Sequence, residues 1–379
     1  MMLDNRNEDK LANEYLNSEY FDALDSDSRL SYLQCKSAQK QYIPNYEMND
    51  KSFYKEVIKI QAFATRDLRN YMRIKDNVIL SYEQDSFLTP KIYCSFHFGS
   101  FKIINCILYE KDIDFVVVAN ASIISDIGMS MKHLNEEENA RTNKKNTFEF
   151  IDAQSNSAII QMIRTLRDGK SLVIYTDGAN GLGGFARNDE KVLKINFSNV
   201  KIFARTGVAF LSHFLNIPIV PVLSWRGKDF EKIYIKFYRS ISPFGEREYY
   251  ITDTTQRLWK ILENKFLKYP SQWEAMLYSG HFISSENKGI EEVFCADKYY
   301  LFNTDQFDFF KMGNSYYLYN SKEMSYIKLS NLLFKVLATF KDQQIVQQGS
   351  FFIDFIKKTL LEDLVRQKVL VPIDDIFVT

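Results

Sequence analysis

The sequence contains no run of about 18 consecutive apolar residues, the length that a membrane-spanning helix needs, so no stable membrane span is expected. It also has no excess of either charge: 48 basic residues face 48 acidic ones. No global field therefore draws the chain to nucleic acid or to anionic lipid, and no nucleic-acid partner is expected. Cysteine is scarce, and Cys35, Cys94, Cys106 and Cys295 stand too far apart to form a metal-type pair. Cys94 and Cys106 lie in apolar runs, as buried thiols do in a reducing compartment. Histidine is as rare. His133, His213 and His281 have no partner at metal spacing and are assigned no chemistry, so no metal or redox cofactor is implied. The opening stretch, MMLDNRNEDKLANEYLNSEY, is polar and acidic rather than an apolar signal sequence, which points to a cytoplasmic protein.

What remains is a composition that fits an ordinary globular chain, with 46% hydrophobic and 25% charged residues. At 379 residues it is long enough for a large core and about two domains. Residues 91–119 (KIYCSFHFGSFKIINCILYEKDIDFVVVA) give the clearest pattern. Ile92, Tyr93, Cys94 and Phe96 read as a buried strand, and the chain turns at His97-Phe98-Gly99-Ser100. Phe101, Ile104, Ile107 and Leu108 then share one helical face, and Phe115 to Val118 form a second buried strand. This is a βαβ unit with a histidine where strand meets helix. Ligands of open α/β sheets bind at that carboxyl edge. A histidine there can serve as general base, and Gly99 can let a ligand approach the backbone.

Along the rest of the chain, residues 1–50 read as a polar extension with short helices, and 52–70 have helical spacing (Phe53, Val57, Ile60, Phe63, Ala64). Residues 123–150 are polar, either an excursion near an acceptor site or a solvated loop without a role. In 153–167, Ile159, Ile160, Ile163 and Leu166 are expected to face inward, with Gly169 ending the helix. SLVIYTD (171–177) is a buried strand running into GANGLGG, a loop that begins at Gly178 and lacks the spacing of a P-loop or dinucleotide fingerprint. A strand at 193–197, a helix at 201–215, strands at 217–222 and 232–239 and a helix at 251–269 follow. From about Val293 the pattern changes to two hairpins (299–310 and 315–327), helices at 329–340 and 351–367, and a last strand at 369–371.

His97-Phe98-Gly99-Ser100-Phe101 resembles the H-F-G-N-W-E block of the late acyltransferases of lipid A assembly, members of the glycerolipid acyltransferase-like superfamily with its H-x4-D/E signature. Asp177 matches that family's P-D-Q block, 217–222 (IPIVPV) resembles its VVPV block, and Arg226 matches a basic residue often found after it. YPSQWEAM is similar to the family's closing P-x-Q-Y/W segment, although the basic cluster that normally follows is missing. The blocks occur in order over 53–283. The resemblance implies a glycerolipid-acyltransferase-like αβ sandwich in which His97 deprotonates an acceptor hydroxyl. Gly99, Ser100, Lys102, Gly178 and Arg226 are expected around the substrate, and the backbone near Gly99 is expected to help hold an oxyanion.

Lys102, however, stands where the family has its acid. Three readings follow: another acid, best Asp177, orients His97; Lys102 contacts an anionic group of the donor; or the fold has been reused for binding. The relatives usually begin with a hydrophobic anchor, and its absence implies a soluble substrate or a brief membrane visit. Residues 316–337 and 355–371 resemble the small PqqD-like winged-helix domains that bind leader peptides. That resemblance implies a C-terminal α+β domain whose exposed strand edge takes a peptide, with Tyr317 and Tyr319 in contact.

The expected division is thus 1–50, 51–290 and 291–379. The expected activity is acyl transfer from a thioester (carrier protein or CoA) to a hydroxyl or amine of a peptide or secondary metabolite. A non-catalytic scaffold for a peptide-modifying pathway is the alternative, and a carboxylate within hydrogen-bond reach of His97 discriminates between them.

Overall fold

The computed structural model describes residues 26–83, 85–88, 90–121, 124, 149–178, 192–278, 280, 282–283, 293–343, 347–350 and 356–373. The glycine-rich loop beyond Gly178, most of the polar excursion, His133, His281 and the start of the last expected helix lie outside the described residues. The chain divides into two compact units. One takes in 39–284, and the other takes in 285–379 together with 26–38, the described part of its N-terminal segment. Of the expected 1–50 extension, the described residues 26–38 fall in the second unit and 39–50 in the first. The change of unit falls inside helix α1 (Ser26–Tyr42).

In the first unit α2 (Asp50–Arg69) begins where the Asn49 side chain accepts the Ser52 N–H at 2.9 Å, and it buries Phe53, Val57, Ile60, Ala64 and Leu68 along one stripe. There follow α3 (Tyr71–Ile74), β1 (Val78–Tyr82), β2 (Ile92–Ser95), α4 (Ile104–Glu110), β3 (Phe115–Ala119), β4 (Glu149–Asp152), α5 (Ala158–Arg167) and β5 (Ser171–Tyr175). The unit ends with β6 (Val192–Phe197), β7 (Val200–Arg205), α6 (Gly207–Leu215), β8 (Ile219–Arg226), β9 (Ile233–Phe237) and α7 (Arg247–Phe266). Seven strands form one sheet in the order β1-β9-β8-β2-β5-β3-β4. All neighbours are parallel except β8 and β9.

The chain is thus mixed α/β with a largely parallel sheet. Its central strands are buried on both faces, which is why they read as unbroken apolar runs. Tyr93, Val117, Val173, Val220 and Val222 pack with Ile104, Leu108 and Ala64 on one side. On the other, Phe96 meets Trp259 of α7 with ring centroids 5.3 Å apart. Among the described residues no helix is long and apolar enough to cross a membrane.

Several elements differ from the sequence expectation. Residues 200–205 are a strand, antiparallel to β6, and the helix starts only at Gly207. Strands β1 and β4 at the sheet margins had no signal of their own. On α5, Leu166 is buried as expected, but Ile159 and Ile160 are 42% and 50% exposed.

In the second unit β10 (Tyr299–Phe302) pairs with β14 (Gln347–Gln348) and β15 (Leu370–Ile373) rather than closing a hairpin. The strands β11 (Phe307–Met312), β12 (Ser315–Asn320) and β13 (Ser325–Leu329) make a separate antiparallel meander. With α8 (Asn331–Gln343) and α9 (Lys358–Arg366) they enclose a core of Tyr300, Phe302, Leu318, Leu337, Leu361 and Leu370, among others. The N-terminal segment joins this unit because Asp308 is met by both Arg29 (3.2 Å) and Lys341. The Ser37 and Cys35 side chains also act on the Tyr319 hydroxyl, Ser37 through a hydrogen bond.

The expected peptide edge at 316–319 does not exist. The main chain of β12 is hydrogen-bonded to β11 on one side and β13 on the other, so no free edge remains there. Tyr319 is 1% exposed, and Tyr317 is half-buried and stacked on Phe310 at 5.1 Å. Both tyrosines are packing residues. Tyr319→Ala is therefore expected to destabilise the C-terminal unit in urea by about 3–5 kcal/mol and to open Cys35 to thiol reagents. Tyr317→Ala should cost roughly 1 kcal/mol and leave Cys35 protected.

Candidate active site

Parallel register alone brings the two central residues together. Ser95 of β2 is paired with Tyr175 of β5, and two residues further on each strand reaches His97 and Asp177 at the carboxyl edge. The Thr176 N–H donates to the Ser95 carbonyl at 3.0 Å and holds that edge in step. His97 Nδ1 lies 2.8 Å from Asp177 Oδ1. A carboxylate accepts but does not donate, so Nδ1 carries the proton and Nε2 is left as the basic nitrogen. The His97 main-chain N–H also donates to both Asp177 oxygens at 3.0 Å, and Trp273 Nε1 donates to Oδ2 at 2.8 Å. Asp177 is fully buried, while the His97 side chain keeps 14% of its surface exposed. The acid is a sealed anchor, and the imidazole is the member of the pair that keeps an exposed surface.

Aromatic rings fix the histidine laterally, with Phe101 4.8 Å and Tyr175 5.0 Å from the imidazole centroid. Trp273 is itself wedged among Tyr42, Phe197, Phe266 and Phe282, at centroid distances of 5.1–5.9 Å. The segment bearing Trp273 runs antiparallel to the histidine turn. Gly99 N–H donates to Gln272 O, and Glu274 N–H to His97 O, both at 2.9 Å. Burial by itself lowers the His97 pKa. The charge and hydrogen bond of Asp177, with the charge of Glu274, more than offset this, so the imidazole titrates above its ordinary 6.5. Burial raises the Glu274 carboxyl, an effect that His97 and Lys102 oppose. Burial lowers the Lys102 ammonium, with Glu274 opposing and Arg69 adding to the effect.

The residues expected from the sequence separate into two groups. His97, Asp177, Gly178 and Lys102 come together. A Cβ on Gly178 would lie 3.8 Å from His97 Cε1, and half-buried Lys102 acts electrostatically on the imidazole. Gly99, Ser100 and Arg226 are instead framework. Gly99 has φ +58°, and a Cβ there would meet the Trp225 Cα at 2.7 Å and the Ser224 carbonyl at 2.9 Å. The close approach that it permits is thus by β8, not by a ligand. The amides of His97, Phe98 and Gly99 are all engaged, by Asp177, Phe96 O and Gln272 O, so none of them is an oxyanion donor.

Ser100, fully buried, donates to Asp67 Oδ2 at 2.5 Å and accepts from Arg226 Nε at 3.1 Å. Arg226 is 3% exposed and also holds Asp67 and the Phe230 carbonyl. Its main chain is clamped by Gln272, whose Oε1 takes the Arg226 N–H at 2.7 Å while Nε2 donates to Arg226 O at 2.9 Å. Each of the three guanidinium nitrogens thus donates within the fold.

Sequence reasoning had passed over Asp67, Trp273 and Glu274. Asp67 had one signal, an acid on the apolar stripe of α2 between Ala64 and Leu68. The other two lay in the closing segment, whose likeness was noted without roles. No protein-family model and no curated protein sequence matches the chain.

The buried pair gives a stability prediction. Arg226→Met leaves the buried Asp67 carboxylate with only the more distant Arg66, at 4.0 Å, and is expected to cost about 3–5 kcal/mol. Asp67→Leu should be comparably costly, and the double substitution should cost clearly less than the sum of the two singles. Urea denaturation of the three variants measures the coupling directly.

Proposed function

We propose that the protein is an acyltransferase that moves an acyl group from a thioester, on a carrier protein or CoA, to a hydroxyl or amine. The observation that carries this reading is the 2.8 Å contact between His97 Nδ1 and a fully buried carboxylate at the carboxyl edge of the sheet. Such a pair fixes the tautomer and orientation of the ring and stabilises the imidazolium that forms when Nε2 takes a proton. In the reaction Nε2 removes the acceptor proton as its oxygen or nitrogen bonds to the thioester carbonyl carbon. The C–S bond then breaks, and the imidazolium returns the proton to the departing thiolate. Asp177 supplies what the acid of the H-x4-D/E signature supplies in the glycerolipid acyltransferase-like enzymes, from a neighbouring strand instead of the next helical turn.

The first unit is read as an acyltransferase-like αβ sandwich. The second is read as a small winged-helix-like domain, supported by its succession of meander, α8, β14, α9 and β15. A non-catalytic scaffold is the weaker reading, since a binding module has no need of a sealed carboxylate behind a partly exposed histidine. The location in this account is the cytoplasm.

The test is mass spectrometry of products after incubation with acyl-CoA or an acylated carrier protein and a panel of alcohols and amines. His97→Ala is expected to lower transfer by about 10²–10⁴-fold while the folded structure persists. Wild-type turnover in a folded His97→Ala protein would end the assignment.

A further inference from the structure

The register of the short pairing beside the histidine brings a second carboxylate to the site. The Phe98–Trp273 bridge is antiparallel, and its hydrogen bonds run from Gly99 N to Gln272 O and from Glu274 N to His97 O. His97 therefore stands opposite Glu274, with both side chains on one side, while Phe98 and Trp273 alternate to the other. Directly opposed residues hold their Cβ atoms roughly 4.5–5.5 Å apart.

Glu274 is half-buried and, among the described residues, takes a side-chain hydrogen bond from Gln61, one of the several that a carboxylate can accept. Asp177 has no such capacity to offer a substrate, because it is sealed and its oxygens already take donors from His97 and Trp273. Lys102 brings the opposite charge. Among the described residues its Nζ donates to Thr65 Oγ1 at 2.7 Å, which uses one of the three N–H donors of an ammonium group. Both charges act on the His97 imidazole.

We propose that the acceptor is a free amino acid, with its ammonium group received by Glu274 and its carboxylate by Lys102, beside His97. This rests on the acyl-transfer reading and narrows it to amide formation. An uncharged alcohol would use neither charge and would still require both to be desolvated. The ammonium group first releases one proton to solvent, giving the neutral amine. Its nitrogen then bonds to the thioester carbonyl carbon while His97 Nε2 takes a second proton. The C–S bond breaks, the thiolate recovers that proton from His97, and the products are an N-acyl amino acid and a free thiol.

The experiment uses the full chain with a long-chain acyl-CoA and three acceptors: glycine, glycine methyl ester, which lacks the carboxylate, and glycolate, which lacks the ammonium group. Wild-type protein is expected to prefer glycine, with kcat/KM at least about tenfold above either analogue, the scale of one lost charge-assisted contact. Glu274→Gln should raise the glycine KM about tenfold or more and leave the glycolate KM unchanged. Lys102→Met should erase the preference for glycine over its methyl ester.

Equal use of the three acceptors by wild type, which needs no variant to fold, would overturn the inference. So would an unchanged glycine KM in a folded Glu274→Gln protein. If His97→Ala abolishes transfer in either case, acyl transfer itself stands and only the acceptor assignment falls. If wild type transfers to none of the acceptors, the inference falls as well. Survival of transfer in His97→Ala sinks the acyl-transfer reading and this inference together.

Discussion

A carboxylate taken out of water must be met by donors or it costs several kcal/mol, and the Asp177 carboxylate is met by the His97 main chain, the His97 ring and the Trp273 indole. Those donors come from two separate segments, the turn after β2 and the closing stretch after α7, while the acid itself ends β5. The local arrangement follows from that demand. Trp273 can donate only if the closing stretch lies along the histidine turn, and that alignment is what sets Glu274 opposite His97. Removing the acid would leave three donors unmatched, so the anchor ties stability and chemistry to one group.

A second buried acid brackets the same turn from the other flank. Asp67 receives Ser100 and Arg226, and Gln272 locks the Arg226 main chain. The turn from His97 to Ser100 is thereby fixed at both ends, with Gly99 pressed against β8 in a left-handed conformation that a side chain would obstruct. Lys102 lies just past this frame at the start of the helical segment. Its position is set by the frame, and its ammonium donates to Thr65. The framework side chains Ser100, Asp67 and Arg226 thus bond to one another, while the His97 ring keeps an exposed surface.

Much of this was legible in the sequence, and the gaps have physical causes. The βαβ unit and the strand ending in Asp177 were readable because strands buried on both faces leave continuous apolar runs, and the strand-to-helix turn marks the edge where ligands bind. Arg226 could be placed at the end of β8, but its role could not be read. What opposes it is Asp67, 159 positions away along the chain, and nothing in local spacing announces such a partner. Residues 201–205 satisfied a helical pattern as well as a strand pattern, the usual ambiguity of a short apolar run, and pairing with β6 decided it. The tyrosines at 316–319 alternated as a half-exposed strand should. The sequence did not say that strands would flank them on both sides.

The central claim is that Asp177 holds the His97 imidazole and raises its proton affinity. Nitrogen NMR titration of His97 in wild type and in Asp177→Asn tests it directly. With the acid present, the ring should titrate above 6.5, with the Nδ1–H tautomer on the alkaline side. Because the folded value is raised, the stability that this group contributes should be complete below pH 6.5 and lost as pH rises through the folded value. In Asp177→Asn burial still lowers the value while the larger of the two charges that raised it is gone and only Glu274 remains, so the titration should move to lower pH. A wild-type ring that titrates at or below 6.5, or a titration that Asp177→Asn leaves unmoved, would contradict the account.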